Sequence, residues 1–394
     1  MLIKGGKSLQ LSMNDFLPKL GRRQLVADKS AYSRARHKLE YTAFIKLNHE
    51  AVVRTMYEDD DCRTYNGLRV LGVDGSKVRL PTNDETIKEF GTFAYKSSYV
   101  NVGGKQSGEH AYAVAPVLYD VMNRVSLDAV LAPAHAYEVE LAAGHLKHTE
   151  TNDLVIYDRG YCSFRMLALA AQATGEFLIR CHRNSFAVAN AMLDGEGPDD
   201  VVCEINANQK FLMNPRNKGL PKTLTVRVVL DNGDYEVLVT SLLARQPYPT
   251  ASFKELYYLR WGIETFYGIL KTRLTLENFS GYSVDAIRQD FFATIFLTGA
   301  ETILTEDAEE TLAIQRGGQP KKVNKAVSFN LIKEHAFELF YSKAPTAGGI
   351  DEIVPDQPNL NPERPETTTE QSIKSSHTGV LETATEDRVL GAGA

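Results

Sequence analysis

Two short runs of the chain constrain its fold more than any other feature. LRVLGV (68–73) and DLVIY (153–157) are apolar almost throughout and show no polar/apolar alternation. A strand that reads this way is covered on both faces, as at the parallel centre of an α/β sheet, whereas a strand with one wet face alternates. The first run ends at Asp74, with Gly75 and Ser76 expected to turn the chain, and the second stops at Asp158. Around them, AYAVAPVLYDVMNRVSLDAVLAP (111–133) reads as two adjacent strands with a turn near Asn123. Residues 137–150 and SFRMLALAAQATG read as helices, and EFLIRC reads as a further short strand. Strands preceding helices, with some direct strand-to-strand steps, predict a mixed α/β core.

The flanks divide the chain further. Residues 1–60 form a helical N-terminal region, with helical apolar spacing over AYSRARHKLEYTAFIKLNHEAVVRTMY. Residues 61–184 are the first part of the core. Residues 185–250 break its rhythm with β-like runs (VVCEI, LTVRVVL, YEVLVTSLL) separated by Gly, Asn and Pro, the pattern of a β-rich insertion. Residues 251–343 resume with helices, including 284–304 and 326–341. Residues 344–394, rich in Pro, Thr, Glu and Gly, are expected to be a disordered acidic tail. No internal repeat is visible.

A chain of 394 residues, 43% hydrophobic, has room for two or three domains with real cores. No apolar run approaches the roughly eighteen uncharged residues of a membrane helix, and FFATIFLTGAETIL carries Glu301. The N-terminus lacks an apolar signal core, so a cytoplasmic location is expected. Cys62, Cys162, Cys181 and Cys203 are scattered, with no C-x-x-C pair, and read as reduced structural thiols. The tail from 344 holds nine acidic residues against three basic ones, and so carries the whole net charge of −6. Over 18–38, PKLGRRQLVADKSAYSRARHK sets seven Lys or Arg against Asp28 alone. Such a stretch suits DNA phosphates, and Arg34 and Arg36 are its candidate contacts.

The stretch YYLRWGIETFYGILK (257–271) puts Tyr257, Glu264 and Lys271 nearly in line on a helix, with Arg260 beside them. Leu256, Leu259, Ile263, Phe266, Tyr267 and Leu270 form the opposite, core-facing surface. Arg260 and Glu264 are four apart and suit an ion pair, but Lys271 lies too far along to join it. Two aspartates at strand ends and a helix-borne glutamate would form a three-carboxylate cluster. Like charges in a semi-buried site raise one another's pKa, and divalent cations relieve that repulsion. Mg²⁺ suits oxygen ligands of this kind, and two such ions support phosphodiester chemistry.

With Tyr257, Arg260, Glu264 and Lys271 filling every position of Y-x2-R-x3-E-x6-K, the chain resembles a DDE transposase of the insertion-sequence-4 type. VDGSKVRLP around Asp74, YDRGY around Asp158 and TSLL before the helix also look like that family's blocks, in its order, and the likeness covers about residues 20–343. It implies a ribonuclease H-like core that brings Asp74, Asp158 and Glu264 together as catalytic ligands of two Mg²⁺ ions, with Mn²⁺ as a substitute. It implies that Arg260 and Lys271 contact DNA phosphates near the cut and that Tyr257 bonds or packs against the same strand. The implied partners are DNA, as terminal inverted repeats and target, and a second copy in an active homodimer of a prokaryotic, nucleoid-associated protein, with no membrane. The implied chemistry is nicking, end cleavage (often through a hairpin) and strand transfer, by cut-and-paste. Relatives that flip a base use a tryptophan in the insertion. Here the only tryptophan is Trp261, and Phe186, Phe211, Tyr235 or Tyr248 would have to substitute. Two other readings stay open at this point: a metal-dependent nuclease on the same core, and a non-catalytic DNA-binding protein derived from a transposase.

Overall fold

In the computed structural model, LRVLGV becomes the first half of a long strand, β1 (Arg69–Arg79), and DLVIY becomes β6 (Asp153–Tyr157). They pair in parallel from Arg69↔Asp153 to Val73↔Tyr157. All of β6 and the first five residues of β1 are buried, the double coverage that an unalternating apolar run requires. At the start of this ladder Arg69 grips Asp153 through Nε at 2.6 Å and Nη2 at 2.8 Å, under cover from solvent. A forked pair of this kind fixes geometry as well as charge. A third strand, β7 (Glu176–Arg180), adds in parallel on the far side of β6. The structure describes residues 9–20, 28–58, 62–94, 109–231, 236–314, 321–341 and 360–362. Residues 21–27 of the basic stretch, and the acidic tail apart from 360–362, lie outside the described residues.

Antiparallel strands flank this parallel centre. On one side β3 (Glu109–Asp120) pairs with β1, and β2 (Thr92–Ala94), β4 (Val125–Ala129) and β5 (Ala132–Pro133) pair with β3. On the other side β10 (Glu236–Thr240) pairs with β7, followed by β9 (Thr223–Asp231) and β8 (Asp200–Asn206). The order β2-β3-β1-β6-β7-β10-β9-β8 makes one large mixed sheet. The strands of the β-rich segment thus prolong the sheet from β7. One expectation is corrected here. β1 does not end at Asp74, and Gly75 and Ser76 form no turn: the strand continues against β3 as far as Arg79↔Tyr112. What ends near Asp74 is the ladder with β6, the shorter of its two partners.

The N-terminal helices include Lys29–Arg36, capped by the Asp28 side chain, which accepts from the Ala31 amide, and Thr42–Asn48. They lean on a long helix, Val284–Ile314. Arg36 joins the two. Its guanidinium donates to Gln289, Ser280, the Ala286 carbonyl and Asp290, and its side chain is only 8% exposed. Val52, fully buried, sits over Gly299 of the long helix: a Cβ at Gly299 would come 2.5 Å from Val52 Cγ1. Gly144, in the helix Glu138–His145, has nothing within 4 Å of such a Cβ. The two glycines therefore respond with opposite signs to the same change. Gly299→Ala is expected to cost about 1–3 kcal/mol by overpacking, and Gly144→Ala to gain about 0.5–1 kcal/mol by helix propensity, read from denaturant or thermal unfolding.

Candidate active site

Val73↔Tyr157 is the last parallel pair, so Asp74 and Asp158 occupy the next position on two neighbouring strands. Neighbouring strands lie about 4.8 Å apart, so the two residues are neighbours at the carboxyl edge of the parallel strands, and the charge of Asp158 acts on Asp74. In open α/β sheets that edge is where ligands bind. Asp74 sits where β1 changes from buried to partly exposed, and its Oδ1 accepts from the Gly75 amide at 2.8 Å.

The segment carrying Glu264 crosses β1 and is not one uniform helix. It comprises Ser252–Tyr258, then Trp261–Gly268, then a wider π-helical turn, Ile269–Arg273. Bonds from the Arg260 amide to Tyr257 and from the Ile263 amide to Arg260 tighten the joint between the first two. Two glycines let this segment approach the sheet. A Cβ at Gly72 would come 3.2 Å from Val121 Cγ1 and 3.5 Å from Ile263 Cβ, and one at Gly262 would come 3.1 Å from Val121 Cβ. Tyr267 Oη then stands within hydrogen-bond reach of the carbonyls of Asp74 (2.8 Å) and Ala115 (2.7 Å), which share its one proton, and Lys271 Nζ donates to the Lys77 carbonyl at 2.8 Å. Ile263, Tyr267 and Lys271 thus step along β1 beside Gly72, Asp74 and Lys77. That docking leaves Glu264 near enough for its charge to act on Asp74. Tyr267 reads in the sequence as one more member of the apolar stripe; its only signal there is a hydroxyl on the core-facing side, which when buried needs a partner.

Arg260 lies among the acids. Its Nη2 donates to Glu264 Oε1 at 2.8 Å, and the two side chains are 7% and 40% exposed. Burial works against the guanidinium's charge, but the nearby Tyr257, Glu264 and Asp158 hold it firmly protonated. The ring of Tyr257 stands 5.7 Å and that of the half-exposed Trp261 5.4 Å from the guanidinium. Tyr257 Oη points to Asp158 Oδ1 at a long 3.5 Å. Burial pushes the Asp74 carboxyl up to about 6, against the opposing Gly75 amide and Arg260, with the charges of Asp158 and Glu264 adding to the rise.

Three carboxylates with no thiolate or imidazole among them make a donor set for a hard, oxygen-seeking cation such as Mg²⁺; burial chiefly raises the Asp74 pKa, and the smaller repulsion from Asp158 and Glu264 is what such a cation would relieve. In kind, the residues fit. In the present arrangement, no three acidic, His or Cys side chains among the described residues stand close enough to clasp one ion, and Glu264 is engaged with Arg260. A cavity of about 620 Å³, bordered by Cys162, His182, Phe186, Glu204 and Asn206, has none of the three carboxylates in its lining.

The remaining residues singled out in the sequence fall in several places. Arg34 is exposed on the helix Lys29–Arg36, while Arg36 is committed to Asp290 and the long helix, so it is a structural residue and not a free phosphate contact. Of the aromatics in the β-rich segment, Phe211 is buried against Phe164, Phe186 and Tyr248 are partly buried, and Tyr235 lies outside the described residues.

This is a mixed α/β protein with an acidic site at the carboxyl edge of its parallel strands. A family model described as the transposase DDE domain matches residues 65–298, more than half of the chain, and the chain belongs to that family. No curated protein matches it. Among solved structures it is similar to a piggyBac transposase synaptic complex with hairpin DNA, determined by cryo-EM, at 12% identity and a TM-score of 0.39. That match covers 93% of this chain and 73% of that one, a likeness too distant to bear on the site. No helix of the described residues is long and apolar enough to cross a membrane.

The site itself yields a pH prediction. A carboxyl whose pKa is raised by folding favours the folded state only while protonated, below the unfolded value near 4; that contribution is lost as pH rises through about 6. In chelator-treated protein, Asp74→Asn should therefore leave thermal stability nearly unchanged at acid pH and raise it above neutrality, by about 2 kcal/mol after allowing for solvent screening. Equal effects at both ends of that range would contradict the electrostatics described.

Proposed function

We propose that this DDE-family protein is a DNA transposase of the insertion-sequence-4 type, with a ribonuclease H-like core that nicks transposon ends, releases the element and joins it to target DNA by cut-and-paste. The observation that supports the reading is the register: one parallel ladder ends immediately before Asp74 and Asp158, and the charges of Asp158, Glu264 and Arg260 all act on Asp74. Asp74, Asp158 and Glu264 would hold two Mg²⁺ ions, with Mn²⁺ as a substitute, and bound cations lower the pKa of the attacking water or 3′-hydroxyl and offset charge on the leaving oxygen. The chain's own residues do the rest. The strand to be cut lies along the face of Tyr257, Arg260 and Lys271. Arg260 and Lys271 meet its phosphates, and Tyr257 steadies Asp158 and packs against the strand. Attack at phosphorus forms one P–O bond as another breaks, so no covalent protein–DNA intermediate and no ATP are required.

In this reading residues 1–60 engage the element's ends, with Arg34 as a contact. Residues 61–184 and 251–343 build the core around the β-rich segment 185–250, and 344–394 is an appended acidic tail. The active form is a homodimer on paired inverted repeats, in the prokaryotic cytoplasm at the nucleoid, and a hairpin is one open route for excision.

The test is binding and cleavage of a duplex bearing the sequences that flank the coding region. Glu264→Gln removes a ligand charge while keeping shape, so nicking and strand transfer should fall by several orders of magnitude with DNA binding intact. Lys271→Ala removes a phosphate contact worth roughly 1–3 kcal/mol, so affinity should fall about tenfold or more and added Mg²⁺ should not restore it. Products joined to target DNA distinguish a transposase from a nuclease on the same core. Normal cleavage by Glu264→Gln would end the assignment.

A further inference from the structure

The buried arginines of this fold differ in how they are satisfied. Arg69 forks onto Asp153; Arg227 reaches Asp200 through Nε and Nη2 and two carbonyls through Nη1; Arg36 bonds through all three nitrogens. Arg260 is as deeply placed, at 5% exposure, yet its guanidinium bonds Glu264 through Nη2 while its buried Nε has no partner. Its one carboxylate partner is a glutamate at 40% exposure on a helix surface. Those three arginines are locked on several sides, and Arg260 is not. Asp74, Asp158 and Glu264 all act on its charge or are acted on by it. The guanidinium therefore supplies the positive charge that the acidic site needs when nothing else is bound. A divalent cation and a guanidinium beside the same carboxylates repel, and Glu264 cannot serve both at once.

We propose that Arg260 is the resident counter-ion of the site, that it competes with a divalent cation for Glu264, and that DNA phosphate admits the metal by drawing the guanidinium off Glu264. This rests on the reading of Asp74, Asp158 and Glu264 as metal ligands. It assigns Arg260 a positioning role in addition to phosphate contact: Arg260 couples the arrival of substrate to the assembly of the metal site. The unpartnered Nε is the donor left over for a phosphate oxygen.

The experiment is titration of the full-length protein with Mn²⁺, reading free ion by electron paramagnetic resonance, with and without a short random-sequence duplex. The Glu264→Gln protein with the same duplex gives the baseline for ions held by DNA alone. Arg260→Ala should bind Mn²⁺ roughly tenfold more tightly than the wild type, as expected when a charge-assisted competitor is removed. Combined with Glu264→Gln, the same change should bring no gain. Duplex should tighten Mn²⁺ binding by the wild type and leave Arg260→Ala unchanged. Arg260→Lys, which keeps a cation but loses the fork, should fall between them, and it replaces the alanine variant should that one fail to show cooperative unfolding. A structural defect would weaken metal binding, so a gain in affinity is a result that loss of packing cannot produce. If Mn²⁺ affinity depends on Asp74 but is equal or weaker in the Arg260 variants, the counter-ion role is wrong and the metal site stands. If Asp74→Asn has no effect on Mn²⁺ binding, the metal-site reading itself falls.

Discussion

The ladder shared by β1 and β6 sets the level at which both aspartates stand, Asp74 within β1 and Asp158 just past β6. Arg69 and Asp153 clamp its first rung under cover, and the pairs above them advance in step to Val73↔Tyr157. A slip of one residue would turn Asp74 toward the opposite face of the sheet. The site thus inherits its precision from the register of these two strands. Asp74 and Asp158 need no loop geometry of their own to meet. β3 then extends β1 past the end of the β6 ladder, which gives Asp74 a strand backbone on both sides and a fixed direction.

The helix above the sheet depends on what is missing from two positions. Gly72 and Gly262 leave room around Val121, and the space lets Tyr267 reach the carbonyls of Asp74 and Ala115. With the helix held so close, the charges of Arg260, Asp158 and Glu264 all act on Asp74, which is desolvated and faces two like charges. Sites that keep such groups together lose stability to do so, and that loss is the usual mark of a place selected for chemistry.

Much of the fold can be read from the sequence because the decisive patterns are local. The unalternating apolar runs, the turn near Asn123, the Glu138–His145 helix and the β-like runs of 200–240 each show their pattern within a few residues. What escapes is pairing between distant segments. Nothing near Gly75 reveals that β3 will hold the strand extended to Arg79, so Gly and Ser after an acid read as a turn. Nothing in 185–250 reveals that β10 returns to β7 and carries the sheet onward. Partner choice is set by contacts across the chain, and single-segment patterns do not contain it.

The charges show the same limit more sharply. Arg34 and Arg36 are equivalent in composition and two residues apart, and both suit a phosphate. On a helix, two residues turn the side chain by about 200°, so one faces solvent while the other is driven against the long helix and Asp290. Arg260 and Glu264 invert the problem. Their spacing announces an ion pair worth a few tenths of a kcal/mol on an open helix. The fold buries the arginine, leaves the glutamate half in water and sets two aspartates beside them, so the pair becomes part of a site. Spacing names which side chains can touch; burial and the neighbours brought in by the sheet decide whether the touch is a surface contact, a brace or a working group.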